Sequence, residues 1–559
     1  MKTHPLTRAK KQKAVALLQA GQYGQARALL EKVCAADRRD AEAWYLLGAA
    51  HQHLDDHFGA ETSYVQALAL HPDHAETLYH LGFAQEMQGK LEQAVASYRH
   101  ALEIEPDHIR VLCNLGLTLQ ALGKPAEAAG CYEQALRRDP AEAILHFNLS
   151  NALRELGQHE TAAEHYRSAI RLKPDYAEAY INLGSTLIKL TQLGEAVTSY
   201  RRALEVRPAY AAAHYGLANL LRRTGRLAEA IEHYRRVVEI EPSHANAHFN
   251  LATSLLAQGE FRAGWQEYIW HWHRDESTFH AFEPTSWELG DLHGRRVFLL
   301  AEQGLGDELF FLRFAQQLKQ RGASEIVYQP GRKIASLLVH VPLFDRLAGT
   351  DERPTSGDLV YSIGDLPRLL GMERGDQIPA AFALTPLSEQ LDAMRRRLTE
   401  LGPPPYVGVT WRAGMPDREL RLFKECPLPD LARVLRQVPG TVLVLQRQPA
   451  EGEIGAFARE LNRPAHDLSA LNDDLEQMLA LLSLIDEYVG VSNTNMHLRA
   501  GVGKTARVLV PAPPEWRWMA EGKESPWFPG FTVYRQGYDG GWEDGFSMLN
   551  ADLIRAFEQ

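Results

Sequence analysis

The chain has 559 residues, too many for one ordinary domain and enough for three or four. With 45% apolar, 23% charged and 9% aromatic residues it can bury real cores, which excludes wholesale disorder. A net charge of −11 excludes a general basic field, so nucleic acid is not an expected partner. Cys34, Cys113, Cys131 and Cys426 form no CxxC pair, which favours a reducing compartment and argues against structural zinc. The opening MKTHPLTRAKKQKAVALLQAGQYG has the basic-then-apolar order of a secretory signal. Its apolar part is brief, lacks an A-x-A site and runs straight into helical periodicity, so it reads as helix. No run of about 18 apolar residues occurs, so no membrane span is expected and a cytoplasmic location follows.

The first half repeats itself. Prolines recur every 34 residues at Pro72, Pro106, Pro140, Pro174, Pro208 and Pro242. In the same frame run a small-residue row (Gly48, Gly82, Gly116, Ser150, Gly184), an alanine row (Ala60, Ala94, Ala128, Ala162, Ala196, Ala230) and a tyrosine row (Tyr64, Tyr98, Tyr132, Tyr166, Tyr200, Tyr234, Tyr268). Two antiparallel helices per repeat explain this: small residues let the helices approach, tyrosine fills the gap and proline separates units. The pattern resembles the tetratricopeptide repeat family over 1–275. It predicts a partial repeat at 7–40, repeats at 41–74, 75–108, 109–142, 143–176, 177–210 and 211–244, and last helices at 245–275. Asn114, Asn148, Asn182 and Asn250 recur on the expected inner helix. An amide offers donors and an acceptor, so this row is a candidate for holding the backbone of a protein or peptide. The segment HQHLDDH sets His53, His57 and Asp56 close together. Without HExxH or a cysteine partner it reads as solvated helix surface, and no metal is assigned.

The 34-residue frame ends in WHWHRDESTFHAFEPTSWELGDLHG, and 276–294 reads as a docking linker. Beyond it, short apolar runs alternate with helical stretches, which predicts parallel strands crossed by helices. RVFLLA and EIVYQP are strands around a helix in ELFFLRFAQQLKQRG. The pattern restarts at YVGVTW and continues through LPDLARVLRQV, TVLVLQ, EIGAFAREL, DLEQMLALLSLI, EYVGVS and TARVLVP. The restart predicts two Rossmann-like lobes, 295–395 and 403–540, with a cleft between them, followed by a C-terminal helix at 541–559.

Three motifs stand at predicted strand ends. Glu302, Gln303, Gly304, Leu305, Gly306 and Asp307 make a tight turn that delivers a carboxylate to a helix start. Thr410, Trp411, Arg412, Ala413 and Gly414, followed by Lys424, offer cations that could neutralise a leaving diphosphate. Ser492, Asn493, Thr494, Asn495, Met496 and His497 end a strand and open a helix whose N–H groups suit an anion.

With GWQEYIWHW, Trp287, AEQGLGDELFFLRF, YVGVTWRAG, SNTNMH, PEWRWM and SPWFPGF in this order, the chain resembles bacterial proteins that join tetratricopeptide repeats to a heptosyltransferase-like glycosyltransferase of the GT-B fold. That resemblance implies an inverting, metal-independent transferase with no cofactor beyond its nucleotide-sugar donor. The lobe at 295–395 would face the acceptor and the lobe at 403–540 the donor. It makes Asp307 the general base. Gln303, Gly304, Gly306, Thr410, Arg412, Lys424, Gln446, Asn493, Thr494, Asn495 and His497 become the donor contacts. A protein recruited by the repeats, of flagellin or other surface type, would be the acceptor. The chain departs from the pattern where the family commonly carries Asp-Thr-Ser or Asp-Thr-Gly and this sequence has Ser492, Asn493 and Thr494. That change keeps open a second reading, a non-catalytic scaffold with a degenerate sugar-nucleotide domain. The sugar, the base and the oligomeric state stay open.

Overall fold

The computed structural model describes residues 5–273, 288–302, 304–413 and 424–558. The chain divides into two compact units, Met1–Gly216 and Leu217–Gln559. The division falls inside the repeats, not at their end.

The first unit is built of helix pairs. Pro5–Gln19 with Tyr23–Ala36 forms a complete pair where a partial repeat is expected. It is followed by Ala41–Gln52 with His57–Leu70, Ala75–Glu86 with Leu91–Ile104, Ile109–Ala121 with Pro125–Arg138, Ala143–Glu155 with His159–Leu172, and Ala177–Lys189 with Leu193–Val206. The residue rows explain the pairing. A Cβ added to Gly116 would lie 2.5 Å from the Tyr132 ring, and one added to Gly82 would lie 2.6 Å from the Tyr98 ring, so each glycine admits one tyrosine. The buried tyrosine then needs a partner for its hydroxyl. Tyr64 donates to Gln52, Tyr98 to Glu86 and Tyr132 to Gln120 at 2.9 Å each, all on the preceding helix. The prolines lie in the turns after each second helix, where Pro140 offers its carbonyl to His146.

The second unit continues with Leu227–Ile240, Ala245–Gln258 and Phe261–Tyr268, then passes into two parallel sheets. The first sheet has β1 (Arg296–Leu300), β2 (Glu325–Gln329), β3 (Arg346–Leu347) and β4 (Leu359–Ser362) in the order β3-β2-β1-β4. The second contains β5 (Tyr406–Thr410), β8 (Thr441–Val444), β9 (Ala465–Asp467), β10 (Glu487–Val491), β11 (Arg507–Val510) and β12 (Thr532–Arg535), in the order β12-β11-β10-β5-β8-β9. A small antiparallel ribbon of β6 (Arg412–Ala413) and β7 (Lys424–Glu425) hangs beside it. Both sheets grow outward in one direction from their first strand and then reverse. Ligands of such sheets gather beyond the strand ends at the reversal. Those points are β1 beside β4 and β5 beside β10. Gly490 on β10 has no side chain because a Cβ there would collide with Thr410 of β5.

One boundary differs from the sequence reading. Helix Ser388–Leu401 runs through 395, and its Met394 and Leu398 share a core with Met478 and Leu482 of helix Leu475–Leu484. Residues 274–287, with Trp287 and most of the expected linker, lie outside the described residues. The described remainder is not loose: Leu292 is buried and the Gly290 N–H donates to the Tyr361 hydroxyl at 3.0 Å.

The aromatic joint before it is core. Ala252, Leu256, Phe261, Trp265 and Tyr268 share one apolar cluster with β1 residues Val297 and Leu299 and with Tyr488 and Val508 of the second sheet. The Trp265 ring packs edge-on against Trp516 at 5.4 Å and Trp527 at 6.0 Å. Its indole N–H reaches the Met372 sulfur at 3.3 Å. The last repeat helices are therefore part of the α/β unit's interior, which is why the compact unit begins at Leu217. Trp265→Ala is expected to cost the second unit about 3–5 kcal/mol, read as a loss of its unfolding midpoint in urea.

Candidate functional site

The reversal points carry the site. After β1 the chain turns at Gly304, whose φ of +89° lies in the region that favours glycine, and enters helix Leu305–Phe311 with Asp307 in its first turn. The Asp307 side chain is 41% exposed, so it opens to solvent and does not point into the interior. Gly306 lies against the other lobe: a Cβ there would sit 3.4 Å from the His497 ring and 3.8 Å from the Thr494 hydroxyl. The first and third sequence motifs thus meet.

Asp307 is paired with Arg517, which follows β11. Arg517 also lies 3.8 Å from Glu515, and Glu515 is paired with Lys424. Lys424, Glu515, Arg517 and Asp307 form a row of alternating charge that runs from β7 to the helix after β1. Although part of the side chain keeps its surface, the protein packed around the Asp307 carboxyl desolvates it and raises it above its ordinary range. Arg517 opposes that shift, Glu302 and Glu515 add to it, and Lys424 opposes it. Burial, with Arg517, Arg313 and Lys424 nearby, holds His497 well below the ordinary imidazole value, so its ring is neutral. A cavity beside this row, at the ends of β10 and β11, is lined by Lys424, Ser492, Glu515 and Trp518.

The second reversal point is locked by side chains. Asn493 caps helix Thr494–Gly501 by accepting from the Asn495 N–H at 2.9 Å. It also donates to the Thr410 hydroxyl at 2.8 Å and the Tyr488 hydroxyl at 3.0 Å. Asn495 is buried close behind it. Thr410 and Asn493 come together as expected, with these polar groups turned to each other.

Other expected donor contacts are placed differently. Gln446 is 2% exposed and spends its amide on backbone: it accepts from the N–H groups of Trp411 at 3.1 Å and Arg412 at 2.9 Å and donates to the carbonyls of Arg412 and Arg447. It braces the end of β5 and has no capacity left for a nucleotide. Arg412 is held by both oxygens of Glu453, at 2.7 and 3.1 Å. Gln303 and Gly414 lie outside the described residues.

The asparagine row also works between repeats. The Asn114 amide donates to Tyr79 at 3.5 Å and that of Asn182 to Asn151 at 2.9 Å. Asn148 is 5% exposed and faces the Cys113 sulfur, so it is removed from the expected peptide contacts. In the second unit Asn250 donates to Asn219 at 3.1 Å. His53 stacks on Tyr23 at 4.2 Å and His57 packs edge-on against Phe83, while Asp56 pairs with His51, so the HQHLDDH side chains face different partners.

Arg517 and Glu515 were missed as site residues, although PEWRWM marked their place: two charges among tryptophans after a buried strand end. A second missed group lies at the β1–β4 reversal. His271 lies 3.0 Å from Glu302, which accepts from Ser362 at 3.0 Å, and the Trp272 N–H donates to Asp365 at 2.9 Å. Gly364 leaves room for the Glu302 carboxylate, which a Cβ would strike.

Tetratricopeptide repeat models match residues 11–60, 113–177 and 181–245, and a second such model matches 39–106. The first part of the chain is a tetratricopeptide-repeat solenoid. Such repeats support a protein-interaction scaffold. Protein FlbA of Caulobacter vibrioides is 28% identical over 338 residues, taking in 54% of this chain and 54% of that protein. The chain thus spans about half the length of the curated relative it matches. Solved structures similar to it include the C-terminal part of a repeat protein from Cytophaga hutchinsonii, 14% identical over 43% of this chain and 99% of that one, with a TM-score of 0.38. Another is YrrB, described as a repeat protein with an unusual peptide-binding site, 23% identical over 34% of this chain and 97% of that one, with a TM-score of 0.30. Among the described residues no helix is long and apolar enough to cross a membrane.

The His271–Glu302 pair gives the second unit a pH signature. Burial works against the His271 charge, but Glu302, with Asp365 and the Tyr268 carbonyl, pushes it up from 6.5 to about 9. Its stabilisation is complete below pH 6.5 and is lost as pH rises through about 9. Melting of the full chain should therefore fall by a few kcal/mol across that window, and His271→Gln should flatten the slope.

Proposed function

We propose that the second unit is a glycosyltransferase of GT-B type that moves a sugar from a nucleotide donor to a hydroxyl on a protein brought by the repeats. The observation that carries this reading is the Asp307 carboxylate at one strand-end reversal, paired with Arg517 from the segment after β11, with the neighbouring Gly306 against the His497 helix of the other reversal. Asp307 accepts the acceptor's proton as the hydroxyl oxygen bonds to the anomeric carbon, and the bond to the diphosphate breaks with its electron pair going to phosphate. Lys424 and Arg517, on the donor-facing lobe, balance the charge that builds on the leaving group. A raised carboxyl is the better base, and neutral His497 adds no competing acid.

Ser492 stands where the family resemblance leads one to expect a carboxylate. It is buried and donates to Glu515 at 3.5 Å, so a carboxylate does stand beside that position, supplied from the segment after β11. This supports retained chemistry over the scaffold reading. The tether supports a protein acceptor, since a recruiting solenoid on the same chain raises acceptor concentration at the cleft.

A thermal-shift panel of nucleoside diphosphates and nucleotide sugars on the full chain should give at least one stabilising ligand. Asp307→Asn should lower transfer or donor hydrolysis by roughly 10²- to 10⁴-fold while nucleotide binding persists. In the wild type, activity should fall on the acid side at a pH above the ordinary carboxylate range, because the base is lost as Asp307 takes a proton. No stabilising ligand, or equal turnover in the variant, overturns the assignment.

A further inference from the structure

One buried cation at the strand ends has no carboxylate at ion-pair distance among the described residues. Arg313, 4% exposed, donates to the carbonyls of Phe310 at 3.0 Å and Trp527 at 2.7 Å, and no carboxylate lies within ion-pair distance of it among the described residues. Its guanidinium lies 4.4 Å from the centre of the Phe310 ring, and that of Arg517 lies 4.6 Å from the same ring. Burial and Arg517 pull Arg313 down to about 9, which leaves it cationic at neutral pH. Arg313 is thus met by ring faces and backbone carbonyls, while Arg517 and Lys424 are met by Asp307 and Glu515. Around them the buried Nε of Arg517 and the indole N–H of Trp518 have no partner among the described residues, and Trp518 lines the cavity with Lys424 and Ser492. Buried donors without a partner, beside two paired cations, suit an oxyanion.

We propose that the Asp307–Arg517 pair is a latch released by the donor: a diphosphate arriving at the strand ends takes Arg517 and Lys424 from their carboxylates and leaves Asp307 free to receive the acceptor's proton. The proposal rests on the transferase reading and adds its order, with donor bound before the base is functional. The geometry requires it if Asp307 is the base, because a carboxylate oxygen already bonded to a guanidinium is a poor proton acceptor. A phosphate carries more charge than either carboxylate and matches the guanidinium fork, so it competes well for Arg517. Arg517 is then a positioning residue that acts through Asp307.

The test is a double-mutant cycle on the full chain, with binding of inorganic pyrophosphate and of UDP measured by titration calorimetry. Asp307→Asn should tighten both by at least several-fold, since Arg517 no longer has to leave a partner. The same change in an Arg517→Gln background should give only the small through-space effect of removing one charge, and the difference between the two is the latch. Arg517→Lys, which keeps the charge, controls for misfolding and should retain part of the binding. Equal effects of Asp307→Asn in the two backgrounds overturn the latch, as does pyrophosphate or UDP binding that Arg517→Gln leaves unchanged. Measurable sugar transfer with equal effects sinks the latch alone. A clear coupling without transfer from any nucleotide sugar sinks the transferase reading alone.

Discussion

The site is organised around one buried guanidinium with two carboxylates to choose from. Arg517 is nine-tenths buried among Trp516, Phe310 and Phe311, so its charge must be met at short range. Asp307 meets it from the helix after β1, while Glu515 meets it from its own segment and is shared with Lys424. That requirement brings the strand ends of both sheets to one place. It also explains why a carboxylate lies at the mouth of an otherwise aromatic interior.

The same aromatic interior fixes where the repeats end. The tyrosine row that closes each repeat runs on to Tyr268, but there its neighbours are Trp265, Phe311 and His271 of the α/β unit. The solenoid pattern is used once more at its end as a wedge, and the buried His271–Glu302 pair ties that wedge to the strand end beside Asp307. The last repeat helices and the two sheets therefore share one core.

How much of this was legible in the sequence depended on how local each signal is. The repeat frame was readable because a glycine, an alanine and a tyrosine at fixed spacing describe one helix-to-helix contact, and Gly116 against Tyr132 is that contact. Strands such as RVFLLA and EYVGVS were readable from their apolar runs, whereas β3, of two residues, and β9, of three, leave too short a signature. Asp307 was readable because glycines at a strand-to-helix turn expose whatever follows. Gln446 was not legible because residue type at a strand end does not say whether a side chain turns outward or braces the backbone, and here it braces the backbone. Arg517 stayed hidden because its meaning comes from a residue 210 positions earlier in the chain.

The central claim is that the ends of β10 and β11, with Lys424 and Arg517, hold the diphosphate of a sugar nucleotide beside Asp307. A crystal structure of the full chain with a nucleoside diphosphate that stabilises it tests this most directly. The account predicts phosphate oxygens within hydrogen-bonding distance of Lys424 and Arg517, with the Asp307 carboxylate released toward solvent. A nucleotide seated elsewhere, with Arg517 still bonded to Asp307, would contradict it.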